Sequence, residues 1–263
     1  MANPNLALLI DGDNVSSKII AGLLVEIANY GTVSVKRIYG DWTMPNMNSW
    51  KKCLLDHSIT PIQQFANTTG KNATDGAMII DAMDLLYTGR FSSFCLVSSD
   101  SDFTRLASRI REQGVTVYGF GERKTPSSLI SACDKFIYFD ALNVAESEQL
   151  KGASAAAQST KPDMRTVVLR GPPTNESSID PDTIAWIVLA IKKSREYEDG
   201  WVNLAEVGNL LNKLAPNVNA RNYGFSRLRE FIEATGIVNI RYKSMGNHPA
   251  VALVCLKEDI GQT

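Results

Sequence analysis

Histidine is nearly absent from this chain. His57 and His248 are the only two among 263 residues, too few for a histidine-based triad or a histidine-rich metal centre. Cysteine is scarce and scattered: Cys53, Cys95, Cys133 and Cys255 show no Cys-x-x-Cys spacing. That argues against a disulfide framework or a zinc site, and for free thiols in a reducing cytoplasm. No apolar run approaches the roughly 20 residues of a membrane span. The opening Met1-Ala-Asn-Pro-Asn5 lacks the basic start of a signal peptide, so the expected location is cytoplasmic. A formal net charge of -1 exerts no global pull on nucleic acid; any such binding must rest on local patches. What remains is an ordinary hydrophobic fraction of 44 %, enough for one large core or two smaller ones.

Two short acidic stretches stand out against that background. Leu6-Ala-Leu-Leu-Ile-Asp-Gly-Asp-Asn14 and Phe94-Cys-Leu-Val-Ser-Ser-Asp-Ser-Asp-Phe103 each begin with an unbroken apolar run of strand length. Such runs mark central strands of a parallel sheet covered on both faces. Each run then breaks into Asp-x-Asp followed by a helical pattern. In open α/β sheets the functional crevice lies beyond the carboxyl ends of the strands, so Asp11, Asp13, Asp100 and Asp102 are expected to crowd one edge. Carboxylates that close repel one another unless a cation sits between them, and hard oxygen ligands suit Mg²⁺ or Mn²⁺. A single Asp-x-Asp would say little, because Asp is also a common helix N-cap.

Taken in order, the first half alternates strand and helix. Ile19, Ile20, Leu23, Leu24 and Ile27 make an apolar stripe over a helix at 16–29. Strands are predicted at 32–39 and 59–65, with a short helix at 47–55 between them. The loop 67–72 feeds a helix over 73–87. Strands at 91–98, 115–120 and 135–139 follow, with helices over 102–113 and after Pro126. This alternation predicts an α/β, doubly wound parallel sheet over 1–140, whose right-handed crossovers bring the strand ends to one edge. On the middle helix, Asp81 and Asp84 lie about 120° and about 180° around from Asp75, so one site cannot receive all three. Asp75, in the first turn, is the candidate; Asp84 reads as a solvated face.

These residues resemble the NYN family of PIN-like (LabA-like) nucleases over roughly residues 5–140. The marks are Ile10-Asp-Gly-Asp-Asn14, Lys71 with Thr74-Asp75 and Asp81, and Ser98-Ser-Asp-Ser-Asp-Phe103. The resemblance implies a metal-dependent ribonuclease in which Asp11, Asp75, Asp100 and Asp102 are the catalytic, Mg²⁺- or Mn²⁺-binding acids. Asp13, Asn14, Lys71, Asp81 and Ser98 would support them. One departure is visible: the last motif usually reads Ser-Gly-Asp, and Ser99 stands at the glycine, which matters only if that position needs positive φ.

Composition shifts over 141–177, where small and polar residues and Gly171-Pro-Pro-Thr-Asn175 read as a partly mobile linker. A module at 178–263 follows: helices at 182–194, 204–214 and 226–235, then a hairpin from 237–242 and 250–255. Three helices and a hairpin make a winged helix-turn-helix. The region resembles the OST-HTH/LOTUS family, on Asp199-Gly-Trp-Val-Asn-Leu204, Leu210-Leu211 and Asn222-Tyr-Gly-Phe-Ser-Arg-Leu228. The resemblance implies an RNA-binding or protein-adaptor role. A local basic excess (Lys213, Arg221, Arg227, Arg229, Arg241, Lys243) can contact phosphates, and Tyr223 or Tyr242 could stack a base.

The expected function is therefore metal-dependent hydrolysis of RNA, single-stranded or structured, with a C-terminal RNA-binding or adaptor domain. The alternatives are a catalytically silent RNA-binding regulator and, below it, a haloacid-dehalogenase-like phosphatase. The phosphatase would also need a Ser/Thr strand end and a phosphate-binding lysine, and no such strand end is convincing.

Overall fold

The computed structural model describes residues 4–65, 73–142, 179–245 and 248–257. Lys71, the loop 67–72 and the expected linker from residue 143 onward lie outside the described residues.

The N-terminal half is a six-stranded sheet in the order β3-β2-β1-β4-β5-β6. Its strands are β1 (Asn5–Asp11), β2 (Thr32–Gly40), β3 (Thr60–Gln63), β4 (Ser93–Val97), β5 (Thr116–Gly121) and β6 (Lys135–Tyr138). Every neighbouring pair is parallel. Five helices connect them among the described residues, α1 (Ile20–Ala28), α2 (Asn48–Lys51), α3 (Ala73–Tyr87), α4 (Thr104–Glu112) and α5 (Ser127–Ala132), and α6 (Phe139–Leu142) follows β6. The last extends ordered structure past the predicted boundary at 140, because Leu142 is buried in the core beneath α1.

Alternation along β1 explains its central place. Leu6, Leu8 and Ile10 pack with Ile20, Leu23 and Ile27 on one face. Ala7 and Leu9 pack on the other with Met78, Leu106 and Ile110. A strand apolar at every position from Leu6 to Ile10 fits between two apolar layers. The chain then runs outward from β1 through β2 to β3 and returns to the opposite side of β1 as β4. Strand order thus reverses between β1 and β4, the switch point at which parallel sheets open a crevice.

The second unit contains α7 (Pro181–Lys193), α8 (Leu204–Leu214) and α9 (Leu228–Ala234) with four short strands. These strands are β7 (Glu196–Glu198), β8 (Trp201–Asn203), β9 (Val238–Met245) and β10 (His248–Leu256), antiparallel in the order β7-β8-β10-β9. Ile187, Ile191, Val207, Leu211, Phe231, Ile232 and Val254 form its core. The three helices and the hairpin match the sequence-based expectation. The β7–β8 hairpin does not appear in it, although Asp199 (φ 47°) and Gly200 (φ 77°) make the positive-φ pair that such a tight turn requires.

The two units meet at the edge of the large sheet. β6 would leave its outer backbone groups unpaired, a liability for any edge strand. Pro216 accepts from the Phe136 N–H at 3.0 Å, and the Asn219 and Asn222 side-chain amides both donate to the Phe136 carbonyl at 3.0 Å. Asn222 Oδ1 accepts from the Tyr138 N–H at 2.9 Å. Both asparagines are buried, so these bonds exchange no partners with water. The loop of the second unit stands where a seventh strand would lie. Removing the Asn222 side chain strands the Tyr138 N–H inside that contact, and a buried donor without a partner costs about 1–3 kcal/mol. Asn222→Ala is expected to lower the unfolding free energy of the full chain by that amount in urea titration. An unchanged midpoint would show that the contact adds no stability.

Candidate acidic site at the sheet switch point

Asp11 ends β1 and is 1 % exposed, beyond the last paired position of the β1–β4 register, Ile10 opposite Val97. One carboxylate oxygen is well served: Oδ2 accepts from Ser98 Oγ at 2.8 Å and from Asn14 Nδ2 at 3.0 Å. The other, Oδ1, is buried and has no hydrogen-bond partner among the described residues. Burial pushes the Asp11 pKa up, against the lowering effect of the Asn14 and Ser98 bonds. An orphaned, desolvated carboxylate oxygen is costly unless a positive group meets it.

Gly12 lies between the two aspartates because there is no room for a side chain. A Cβ there would sit 2.8 Å from the Tyr39 carbonyl oxygen as well as from Ile38 and Met47. The Gly12 N–H is already bonded to that carbonyl at 2.8 Å. Asp13, one residue on, accepts from Thr74 Oγ1 at 2.8 Å and from the Asp41 N–H at 3.3 Å. It thereby pins the start of α3 to the end of β1, and this places Asp75 over the crevice.

Oxygen atoms of Asp75, Asp100 and Asp102 all lie within 4.8 Å of one another. Asp100 occupies the turn after β4, where its N–H donates to Ser98 Oγ at 3.1 Å and its Oδ1 accepts from the Asp102 N–H at 2.9 Å. Asp100 is thus a helix cap and a member of the cluster at once. Ser98 joins the two strand ends, donating to Asp11 and accepting from Asp100. The Asp75 carboxyl is pushed up to about 6, first by burial and then by the charges of Asp11, Asp100, Asp102 and Asp13. The four acids expected to converge are therefore together at one edge. Asp75, Asp100 and Asp102 form a compact group of oxygen donors, and Asp11 lies near enough for its charge to raise the Asp75 pKa. Oxygen-only donors of this charge fit a hard divalent cation such as Mg²⁺ or Mn²⁺.

Asp81, expected to support the site, stands apart from the cluster instead: its carboxylate takes the Arg37 guanidinium and the Tyr39 hydroxyl on β2. Asp41, which sequence reasoning passed over, is a buried acid at the end of β2 whose Oδ1 accepts from Thr43 and Gln63. The one signal that could have found it was its place after a strand, matching Asp11. Ser99 needs no glycine conformation, since the described non-glycine residues with positive φ are Ser58 and Asp199.

The basic residues of the second unit divide. Arg221 pairs with Glu26 of α1 at 3.3 Å, and Tyr223 stacks on Phe231 with ring centroids 4.8 Å apart. Both are thereby engaged in the domain contact or the core. Arg227 is exposed. Arg229 reaches the Tyr242 hydroxyl, Arg241 lies 4.3 Å over the Trp201 ring, and Lys243 pairs with Glu198. No helix among the described residues is long and apolar enough to cross a membrane.

Residues 5–143 match the NYN domain, and residues 182–249 match the OST-HTH/LOTUS domain. Among solved structures, the chain is similar to a protein of unknown function from Vibrio parahaemolyticus, at 20 % identity and a TM-score of 0.43, over 52 % of this chain and 93 % of that one. It is also similar to an uncharacterized protein from Nitrosomonas europaea, at 24 % identity and a TM-score of 0.28, over 38 % of this chain and 92 % of that one. No curated protein matches the chain.

A carboxyl whose folded pKa is raised contributes stability that is fully present below its unfolded value near 4 and lost as pH rises through the folded value near 6. In EDTA the protein is accordingly expected to lose stability between pH 4 and pH 7. Asp75→Asn should remove most of that slope and raise stability at pH 7.5 by roughly 1–2 kcal/mol, after discounting for solvent screening. Thermal unfolding of both proteins across this range is the check. A wild-type profile that is flat, or that rises toward neutral pH, would contradict the crowding of charge.

Proposed function

The chain belongs to the NYN domain family, and from that premise we propose that it is a divalent-metal-dependent ribonuclease that hydrolyses RNA phosphodiester bonds at Asp11, Asp75, Asp100 and Asp102. One observation carries the reading: a buried, half-unpartnered carboxylate at the sheet switch point stands beside three more carboxylates within 4.8 Å of one another. Capping and hydrogen bonding engage Asp100 and Asp11, yet like charges brought this close raise one another's pKa unless a cation sits among them. Asp11, Asp75, Asp100 and Asp102 would hold Mg²⁺ or Mn²⁺. When bound, such an ion neutralises charge building on a scissile phosphate and acidifies water.

The chain's own groups prepare that site. Ser98 and Asn14 fix the Asp11 carboxylate through Oδ2 and leave Oδ1 without a partner among the described residues. Asp13 and Thr74 hold α3 at the strand ends. Asp75 keeps its proton in mild acid and releases it when a cation takes its charge. No protein nucleophile is needed, which suits a chain with two histidines. RNA as the polymer is supported by the appended OST-HTH/LOTUS domain. Arg227, Arg229, Arg241 and Lys243, with Tyr242 exposed among them, are the groups we assign to phosphate and base contact.

Purified protein incubated with single-stranded and structured RNA should cleave in Mn²⁺ or Mg²⁺ and stop in EDTA. Asp100→Asn should lower turnover by at least about 100-fold, equivalent to about 3 kcal/mol of transition-state stabilisation, with the fold retained by circular dichroism. RNA binding without cleavage in either metal would identify a silent RNA-binding protein instead.

A further inference from the structure

The acidic site and the C-terminal unit are joined by a continuous path of contacts through the loop after β5. Ser99 lies between Ser98 and Asp100, the two residues that build the site's β4 turn. Its hydroxyl accepts from the Glu122 N–H at 2.8 Å. Glu122 opens a tight turn closed by Thr125, whose N–H and hydroxyl both donate to the Glu122 carbonyl, at 3.1 and 2.6 Å. Arg123 at the tip of this turn reaches across the domain boundary. Its guanidinium donates to the Asn222 carbonyl at 3.1 Å and to Asp140 at 2.9 Å, and it lies 4.2 Å over the Tyr138 ring. Asn222 is itself buried and bonded to β6 on both sides of Ile137.

Each link constrains the next. Arg123, half-exposed, ties the Glu122–Thr125 turn to the β6 edge through a cation–π contact and two hydrogen bonds. The turn presents one N–H to Ser99, and Ser99 fixes the orientation of the peptide that leads into Asp100. Backbone contact reinforces it: the Ser98 N–H donates to the Phe120 carbonyl at 3.0 Å, and a Cβ on Gly121 would sit 3.0 Å from the Ser98 carbonyl oxygen. The side-chain part of the path exists because position 99 is a serine; a glycine there would offer the Glu122 N–H nothing.

We propose that Ser99 and Arg123 are positioning residues for the acidic cluster, and that through Arg123 the C-terminal domain forms part of that site's support. Its consequences for metal and RNA rest on the ribonuclease reading above, whereas the mechanical link does not. Loss of either residue loosens the turn carrying Asp100 without touching the cluster's own carboxylates.

The test uses the full chain and four variants: Ser99→Ala, Ser99→Thr, Arg123→Ala and the Ser99→Ala/Arg123→Ala pair. Partners behind metal ligands typically change affinity by about 10-fold or more. Ser99→Ala and Arg123→Ala should each weaken Mn²⁺ binding to that extent in calorimetric titration and lower kcat while leaving KM for RNA unchanged. Ser99→Thr, which keeps the hydroxyl, should stay within roughly twofold of wild type, and the double variant should be no worse than the weaker single one, because the residues act in one path. Amide hydrogen exchange over residues 98–103 should quicken in both single variants, in the absence of any metal. Arg123→Ala with wild-type exchange in that segment overturns the proposal, as does a Ser99→Thr variant no better than Ser99→Ala. A wild-type protein that neither binds Mn²⁺ nor cuts RNA overturns the ribonuclease reading alone, and the exchange measurement then decides the link by itself.

Discussion

A buried carboxylate that lacks a partner on one oxygen is the constraint around which this fold is arranged. Asp11 sits at the end of a central, enclosed strand, where the apolar layers that stabilise β1 also strip water from its last residue. Two hydrogen bonds satisfy Oδ2 and none among the described residues satisfies Oδ1. The surroundings add negative charge where compensation would be expected. Asp75 is held above by the Asp13–Thr74 bond, and Asp100 is held alongside by Ser98. A fold selected for stability alone would place a lysine or an amide there. A cation would complete the arrangement, and the same burial that is costly in its absence would then strengthen the attraction.

The domain contact follows a different physical rule. An edge strand presents unpaired backbone groups, and β6 is short and flanked by aromatic residues, with Phe136 and Tyr138 edge-to-face at 5.6 Å. Asparagine is suited to such an edge because its side chain carries both a donor and an acceptor in peptide-like geometry. Asn219 and Asn222 thus imitate a strand without supplying one. The OST-HTH/LOTUS unit is consequently docked on the NYN unit along this edge. Arg221 is turned toward Glu26, while Arg227 stays exposed.

Much of this was legible beforehand where the signal is local. Apolar runs ending in Asp marked β1 and β4, and the bounds of α3 and α8 coincide with the ranges predicted from pattern and capping. Asp81 was expected to support the site on the family resemblance; helical geometry sets it about 120° around from Asp75, where Arg37 and Tyr39 engage it. Other features depend on tertiary neighbours that no local pattern encodes. A count of charges put Arg221 and Tyr223 in one patch with Arg227 and Arg229, but a count does not tell which way a side chain points. The β7–β8 hairpin was missed because its strands are three residues long and Glu196–Glu198 is polar throughout, so the Asp199-Gly200 turn was its only mark. The asparagine clamp required knowing which strand lies at the sheet edge.

The central claim is that the acidic cluster is a cation site, and Mn²⁺-dependent stabilisation measured across pH tests it most directly. A ligand present at 100 times its dissociation constant stabilises the folded state by about 2.7 kcal/mol, and here it must first displace the proton that Asp75 retains below about pH 6. The account predicts a rise in Tm on adding Mn²⁺ that is small at pH 5, grows as pH passes through 6, and is lost in Asp11→Asn. A Tm unchanged by Mn²⁺ at pH 7.5, or an equal rise in Asp11→Asn, would contradict it.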